Sequence, residues 1–189
     1  ALALQCFVIY QVLLFVFTRL NPIKFVKKFL PVMGFAFSTA TSNATIPMSI
    51  DTLNKKMGVS KQISSFTIPL GATINMDGTS IMQGVAVIFI AEAYGIHLTP
   101  ANLATVVVTA TLASIGTAGV RLVTLAMVLN SVGLPTEGIA LIMGIDRILD
   151  MLRTAVNITG DAVCTTIVSH QEKALNREVF NAINCNKLL

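Results

Sequence analysis

Apolar blocks run the length of this chain, and all but the first are interrupted by polar residues near their centres. Residues 1–17, ALALQCFVIYQVLLFVF, are almost continuously apolar and predict a membrane helix. Residues 30–53 contain Pro31, Pro47 and a polar centre over 38–45. Residues 63–96 are long enough to cross a bilayer, yet they break at Asn75-Met76-Asp77-Gly78-Thr79. Residues 103–132 are interrupted by Ser114-Ile115-Gly116-Thr117-Ala118-Gly119. In the last block, 144–169, Asp146, Asp150, Arg153, Thr154, Asn157 and Asp161 all fall within a stripe of about 100° on a helix. The opposite stripe holds Ile148, Met151, Leu152, Ala155, Ile158, Ala162 and Val163.

Composition puts these blocks in a membrane. The 189 residues are 54% hydrophobic and 12% charged, with a mean hydropathy of +0.77; soluble domains carry about 25% charged residues. A charge at mid-membrane costs at least roughly 2.5–3.5 kcal/mol, so a charged stripe persists there only against protein, water, ions or a polar ligand. No signal peptide is read at the start, and an opening already deep in an apolar segment predicts a protein cut from something longer. The net charge of +4 resides in the connecting segments. Membrane topology accounts for it, and no nucleic-acid partner is expected. Cys6, Cys164 and Cys185 have no paired spacing, and Cys6 and Cys164 read as buried small apolar residues. His97 and His170 read as inert loop residues, and the tail from residue 171 as a short interfacial helix.

The basic residues set the topology. Arg19, Lys24, Lys27 and Lys28 precede the second block, and Lys55, Lys56 and Lys61 follow it, so both of its ends are predicted on the cytoplasmic side. A straight span cannot begin and end on one side; a re-entrant hairpin does. The loops around residues 92–100 and 133–138 lack Lys and Arg and belong on the far face. The fourth block then reads as a second hairpin entering from the opposite side, and the polar-striped helix returns to Lys173 and Arg177. The fold class is therefore an all-α integral membrane core with opposed re-entrant hairpins and broken transmembrane helices, an arrangement that places a site at the membrane midplane.

Candidate chemistry follows from this layout. The Asn75–Thr79 link offers side-chain oxygens and freed carbonyls to a hard monovalent cation, unless it is only a kink satisfied within itself. Half-helix ends at the tips aim N–H groups at the midplane, which suits a carboxylate; ordinary packing of small residues is the alternative. Asp150 and Arg153, three residues apart, either pair with each other or read the two ends of an acidic amino acid. Asn157 and Asp161 add oxygens for a cation. Asp146 and Arg147 read as solvated or structural residues near the membrane edge.

The segments TSNATIP, GATINMDGT, ASIGTAG and DMLRTAVNITGD, in this order, resemble the C-terminal half of the dicarboxylate/amino acid:cation symporters, the glutamate transporter family. The resemblance covers nearly the whole chain. It implies a partial transmembrane helix 6 over residues 1–20, hairpin 1 over 22–57, broken helix 7 over 61–96, hairpin 2 over 99–133, helix 8 over 135–172 and a cytoplasmic tail over 173–189. It implies a glutamate-transporter-like core without the family's first five helices. By the same resemblance, substrate contacts fall at Ser42, Thr79, Asp150, Arg153, Thr154 and Asn157, with Thr117 and Gly119 in the closing tip. One sodium ion takes Gly71, Asn75, Asn157 and Asp161. A second takes Thr73, Met76 and the backbone of Ser114, Ile115 and Thr117. A third takes Asp77 and Asn75.

The implied function is sodium-coupled symport of aspartate or glutamate by an elevator-like movement, with no enzymatic activity and with protons as the alternative coupling ion. The implied partners are an acidic amino acid or dicarboxylate, the lipid bilayer and, in the full-length protein, two further copies in a homotrimer. The implied location is a multi-pass one in the cell membrane, with a bacterial inner membrane expected. Asp150 favours an amino-acid carrier over a C4-dicarboxylate carrier. Gln83 stands where animal carriers have a proton-carrying Glu, which argues against that form of proton and potassium coupling. The chain departs from the family after Val120, where Arg121 follows at once and the tip is short; a discontinuity between these two residues is expected. Two other readings remain: an inactive fragment, and an intramembrane aspartyl protease using Asp77 and Asp161. Ile158 stands where the protease motif requires Gly.

Overall fold

The computed structural model describes residues 1–116 and 121–182. The candidate residues Thr117 and Gly119, the expected discontinuity at Val120–Arg121 and Cys185 lie outside them. The described residues are helical without a strand; a lone bridge pairs Val59 with Leu175. Helix α1 is Leu2–Thr18, with a π-turn at Gln5–Ile9. A helical hairpin follows, α2 (Pro22–Thr39) and α3 (Ser42–Met57). Asn21 caps α2, its side-chain oxygen accepting from the N–H of Ile23 at 2.9 Å, with Pro22 in the first turn. Helices α4 (Lys61–Ile74) and α5 (Asp77–Ala93) form the broken segment. A second hairpin pairs α6 (Pro100–Gly116) with α7 (Arg121–Ser131). A single 3₁₀ turn leads into the 33-residue α8 (Ile139–Gln171), and the short α9 is Arg177–Asn181.

The breaks are tighter than the sequence implied. Pro31 and Pro47 lie inside α2 and α3, not at the hairpin tip. The reversal needs only Ala40, in the left-handed region at φ 50°, and Thr41, extended at φ −140°. Between α4 and α5 only Asn75 and Met76 leave helical geometry, while Gly78 and Thr79 sit in the first turn of α5. Gly78 serves close approach, not unwinding. A Cβ there would lie 2.9 Å from Asn157 Oδ1 and 3.0 Å from the Arg153 carbonyl, so α5 could not otherwise press against α8.

One end of the molecule gathers the cations. The Lys28 ammonium donates to the carbonyls of Lys56 at 2.6 Å and of Val179 and Phe180 at 2.9 Å, and Asn176 N–H donates to the Gly58 carbonyl at 2.8 Å. The start of α2, the end of α3 and the tail therefore meet. Ser60 N–H reaches Ser169 Oγ at 3.5 Å, bringing the start of α4 and the end of α8 to the same place. The opposite end joins α5 to the start of α8, where Gly138 packs on Ile90 and Tyr94. The hairpins thus approach the middle from opposite ends.

Two apolar clusters flank that middle. One is built from α1, α2, α3 and the distal part of α8, around Phe25, Phe29, Leu53, Met57 and Phe180. The other combines α5, α6, α7 and the start of α8, around Val87, Ile90, Val128, Leu129 and Ile142. Apolar side chains also cover much of the exterior, including Phe15, Phe66, Phe89, Val107 and Leu112. Among the described residues one stretch, Lys61–Ala93, is long and apolar enough to cross a membrane. Helix α8, about 50 Å long, is long enough but not apolar enough to meet that test.

Several sequence expectations need correction. Cys164 is exposed, because it faces the outer surface of α8. Ile148 and Leu152 are exposed as an outer apolar stripe requires, but Ile158, Ala162 and Val163 are buried, since neighbouring helices cover most of α8 in its distal half, though not Cys164. His170 belongs to the last turn of α8, 3.2 Å from the Arg177 guanidinium. The tail does not lie free at an interface: Phe180 is fully buried in the first apolar cluster, and Arg177 donates to the Thr18 carbonyl at 3.0 Å.

Candidate functional site

The tip of the α2–α3 hairpin, the last turn of α6, the α4–α5 break and the polar face of α8 wall a cavity of about 450 Å³. Each element is there for a sequence reason. The reversal at Ala40–Thr41 ends one helix and starts another without a side-chain cap, so the first N–H groups of α3 lack an intrahelical acceptor beside Ser42 and Asn43. The two-residue break turns Met76 and Thr79 inward, and the i, i+3, i+4, i+7 spacing of α8 turns Asp150, Arg153, Thr154 and Asn157 to the same space. Ser42, Thr79, Asp150, Arg153, Thr154 and Asn157 are thus brought together from three parts of the sequence.

The charges on α8 form a group of two carboxylates, Asp150 buried and Asp146 half-buried, around one buried guanidinium. Arg153 Nη2 donates to Asp150 Oδ1 at 3.1 Å and lies 3.8 Å from Asp146 Oδ1. Asp150 and Arg153 are 3% and 4% exposed, so this is an interior ion pair and not a surface one. Asp146 is a structural partner of the guanidinium, as one of the two sequence readings had it; Arg147 is exposed. Removing one member of such a pair strands a buried charge at a cost of about 3–5 kcal/mol.

A second polar cluster lies one to two turns along α8. Asn75 Nδ2 donates to Asp161 Oδ1 at 2.8 Å and reaches the Asn157 carbonyl at 3.5 Å. Gly71 belongs here because a Cβ would lie 2.5 Å from Asp161 Oδ1. Asn157 is oriented from both sides: its Oδ1 accepts from Gly78 N–H at 2.8 Å, and its Nδ2 faces Met76 Sδ at 3.4 Å. Gly71, Asn75, Asn157 and Asp161 therefore form one group. Its donor set, one carboxylate with amide and backbone oxygens, fits a hard monovalent cation. Thr73, Met76 and Ser114 line the main cavity, whereas Ile115 and Asp77 border an open groove on the other side, between α1, α4 and α8.

Sequence reasoning missed several partners. Asp77 Oδ2 accepts from Tyr10 Oη at 3.1 Å and Gln5 Nε2 at 3.4 Å. Ser80 and Ser114 hydroxyls meet at 2.7 Å, tying α5 to α6, and Gln83 Nε2 donates to Thr124 Oγ1 at 2.5 Å, tying α5 to α7. For Gln83 the available signal was a polar residue in an apolar run; for Gln5 and Tyr10, five apart, helical spacing gave none.

An all-helical chain with an apolar exterior, enclosing opposed charges and broken helices, is built as a membrane carrier. The profile of the Sodium:dicarboxylate symporter family matches residues 1–171, and the chain belongs to that family. By its description that family is one of sodium-coupled symporters. An excitatory amino acid transporter of Caenorhabditis elegans is 43% identical over 92% of this chain and 35% of its own length. Excitatory amino acid transporter 1 of Homo sapiens is 41% identical over 94% of the chain and 34% of its length. Neutral amino acid transporter A of Bos taurus is 41% identical over 90% and 33%. The chain thus spans about a third of the length of these curated relatives. All three come from animals and lend no support to the expected bacterial inner membrane.

Proposed function

We propose that the protein carrying this chain is a sodium-coupled symporter of acidic amino acids, aspartate or glutamate. The observation that carries this reading is the buried Asp150–Arg153 pair on the cavity wall. An acidic amino acid has an ammonium and two carboxylates. Asp150 meets the ammonium, Arg153 takes the side-chain carboxylate bidentately, and the uncapped start of α3 beside Ser42 receives the α-carboxylate. Thr79, Thr154 and Asn157 supply the remaining hydrogen bonds, and Thr117 and Gly119 belong to the closing tip.

The sodium ions are cargo. One uses Gly71, Asn75, Asn157 and Asp161; a second uses Thr73, Met76, Ser114, Ile115 and Thr117; Asp77 and Asn75 contribute to a third. The hairpins are re-entrant and gate the cavity from opposite faces while the core moves in an elevator-like manner within a trimer. Coupling is then a linkage, in which sodium and substrate raise each other's affinity by the same factor. A C4-dicarboxylate has no ammonium for Asp150 to meet, which is why that substrate class ranks second.

The test is uptake of radiolabelled aspartate, glutamate and succinate by the full-length protein in liposomes, under imposed sodium or proton gradients. Sodium-driven aspartate or glutamate uptake is expected. Uptake driven by protons alone, or restricted to succinate, overturns the reading.

A further inference from the structure

We infer that the π-turn in α1 is a positioning device for the carboxylate of Asp77, acting through Tyr10 and Gln5; the inference rests on the reading above, in which Asp77 is an ion ligand. Residues five apart on an α-helix point about 140° away from each other. Gln5 and Tyr10 would therefore not share a face of an uninterrupted α1. The π-turn narrows that difference, because closing the backbone from residue i to i+5 brings those two positions onto one side of the helix. Here the Tyr10 N–H bonds the Gln5 carbonyl. The two side chains then converge on one atom, Asp77 Oδ2, at 3.1 Å from Tyr10 Oη and 3.4 Å from Gln5 Nε2.

The surroundings hold this geometry. Gln11, itself buried, returns its Nε2 to the Cys6 carbonyl inside the widened turn at 3.0 Å. Helix α8 presents bare backbone at Gly160, where a Cβ would lie 2.6 Å from Tyr10 Oη and 2.8 Å from Asn75 Nδ2. Tyr10 Oη, bonded to Asp77, and Asn75 Nδ2 thereby both face this bare stretch of α8. Both donors act on Oδ2, so the other carboxylate oxygen is not spent on them. A charged acceptor held by two aligned donors has one orientation, which is what a cation needs of a ligand it must bind and release.

Equilibrium binding to the full-length protein tests this, with sodium titrated at fixed aspartate and aspartate titrated at saturating sodium. Tyr10→Phe keeps the buried ring and deletes the donor; Gln5→Met does the same for the amide; Gln11→Leu touches Asp77 nowhere and loosens only the π-turn. Each is expected to raise half-saturating sodium, by about tenfold for Tyr10→Phe, with aspartate affinity at saturating sodium unchanged. A merely structural role would lower thermal stability and leave sodium affinity alone. Unchanged half-saturating sodium in both Tyr10→Phe and Gln5→Met overturns the inference. Aspartate binding without sodium by the unmodified protein overturns the parent reading instead, and this one with it.

Discussion

At 3.1 Å from Asp150 and 3.8 Å from Asp146, the Arg153 guanidinium engages both carboxylates through Nη2, so a carboxylate arriving at that nitrogen competes with them. On the proposed reading, substrate replaces both partners: its carboxylate for Asp150 at Arg153, and its ammonium for Arg153 at Asp150. Truncating one side of a buried charge-assisted contact costs roughly 2–5 kcal/mol, so Arg153→Cys should weaken acidic substrates by more than an order of magnitude while neutral amino acids lose little. Asp150→Asn should weaken aspartate more than succinate. Calorimetry at fixed sodium checks both, and equal losses for the two ligands would reduce the pair to an internal salt bridge. At this scale the sequence was informative wherever a polar residue kept helical spacing, as Asp150, Arg153, Asn157 and Asp161 do. It was silent about Gln5 and Tyr10 because their spacing of five matches no face of an α-helix, and only a backbone irregularity aligns them.

At the scale of elements, the charge pattern anticipated which ends meet. Lys28 bonds the Lys56 carbonyl, and the tail closes over both, so the two feet of the α2–α3 hairpin stand together. If that hairpin is re-entrant, single cysteines at Lys27 and Lys56 should both react with a membrane-impermeant maleimide from the cytoplasmic face, and one at Glu137 only from the other face. Labelling of Lys27→Cys and Lys56→Cys from opposite faces would make the segment a straight span. The sequence placed the breaks but overestimated their width. Gly78 and the prolines signal helix disruption by propensity, yet packing recruits Gly78 for contact with α8 and keeps Pro31 and Pro47 inside helices.

At the scale of the whole molecule, the tail acts as a clasp. Phe180 fills the first apolar cluster, and its neighbours engage Lys28, Gly58 and Thr18 on separate elements. Phe180→Ala should cost about 3–5 kcal/mol, read as a lower unfolding temperature of the purified protein, with little change in substrate selectivity. A lone aromatic in a polar tail gave no periodic signal, so this docking was not legible in advance. Cys164 was misjudged for a related reason: hydrophobicity cannot separate a core position from a lipid-facing one when the solvent is itself apolar.

The two apolar clusters are separate: along α4–α5 the first reaches Ile68 and the second begins at Met82, along α8 the second reaches Leu149 and the first begins at Ala155, and Asn75, Asp77, Asp150 and Arg153 lie in the polar layer between. That layer is a mechanical seam. Backbone crosses it as one intact helix, α8, and as the interrupted α4–α5 segment, so the two greasy halves are joined by a strut and a joint. On the proposed reading, ions and substrate entering the seam act as mortar, because what binds the assembled form and not the open one stabilises it by mass action. Sodium with aspartate should therefore protect the Asn75–Met76 joint from limited proteolysis more than it protects either half. Ligand recognition and the stiffness needed to move as one body would then be a single event in this fold.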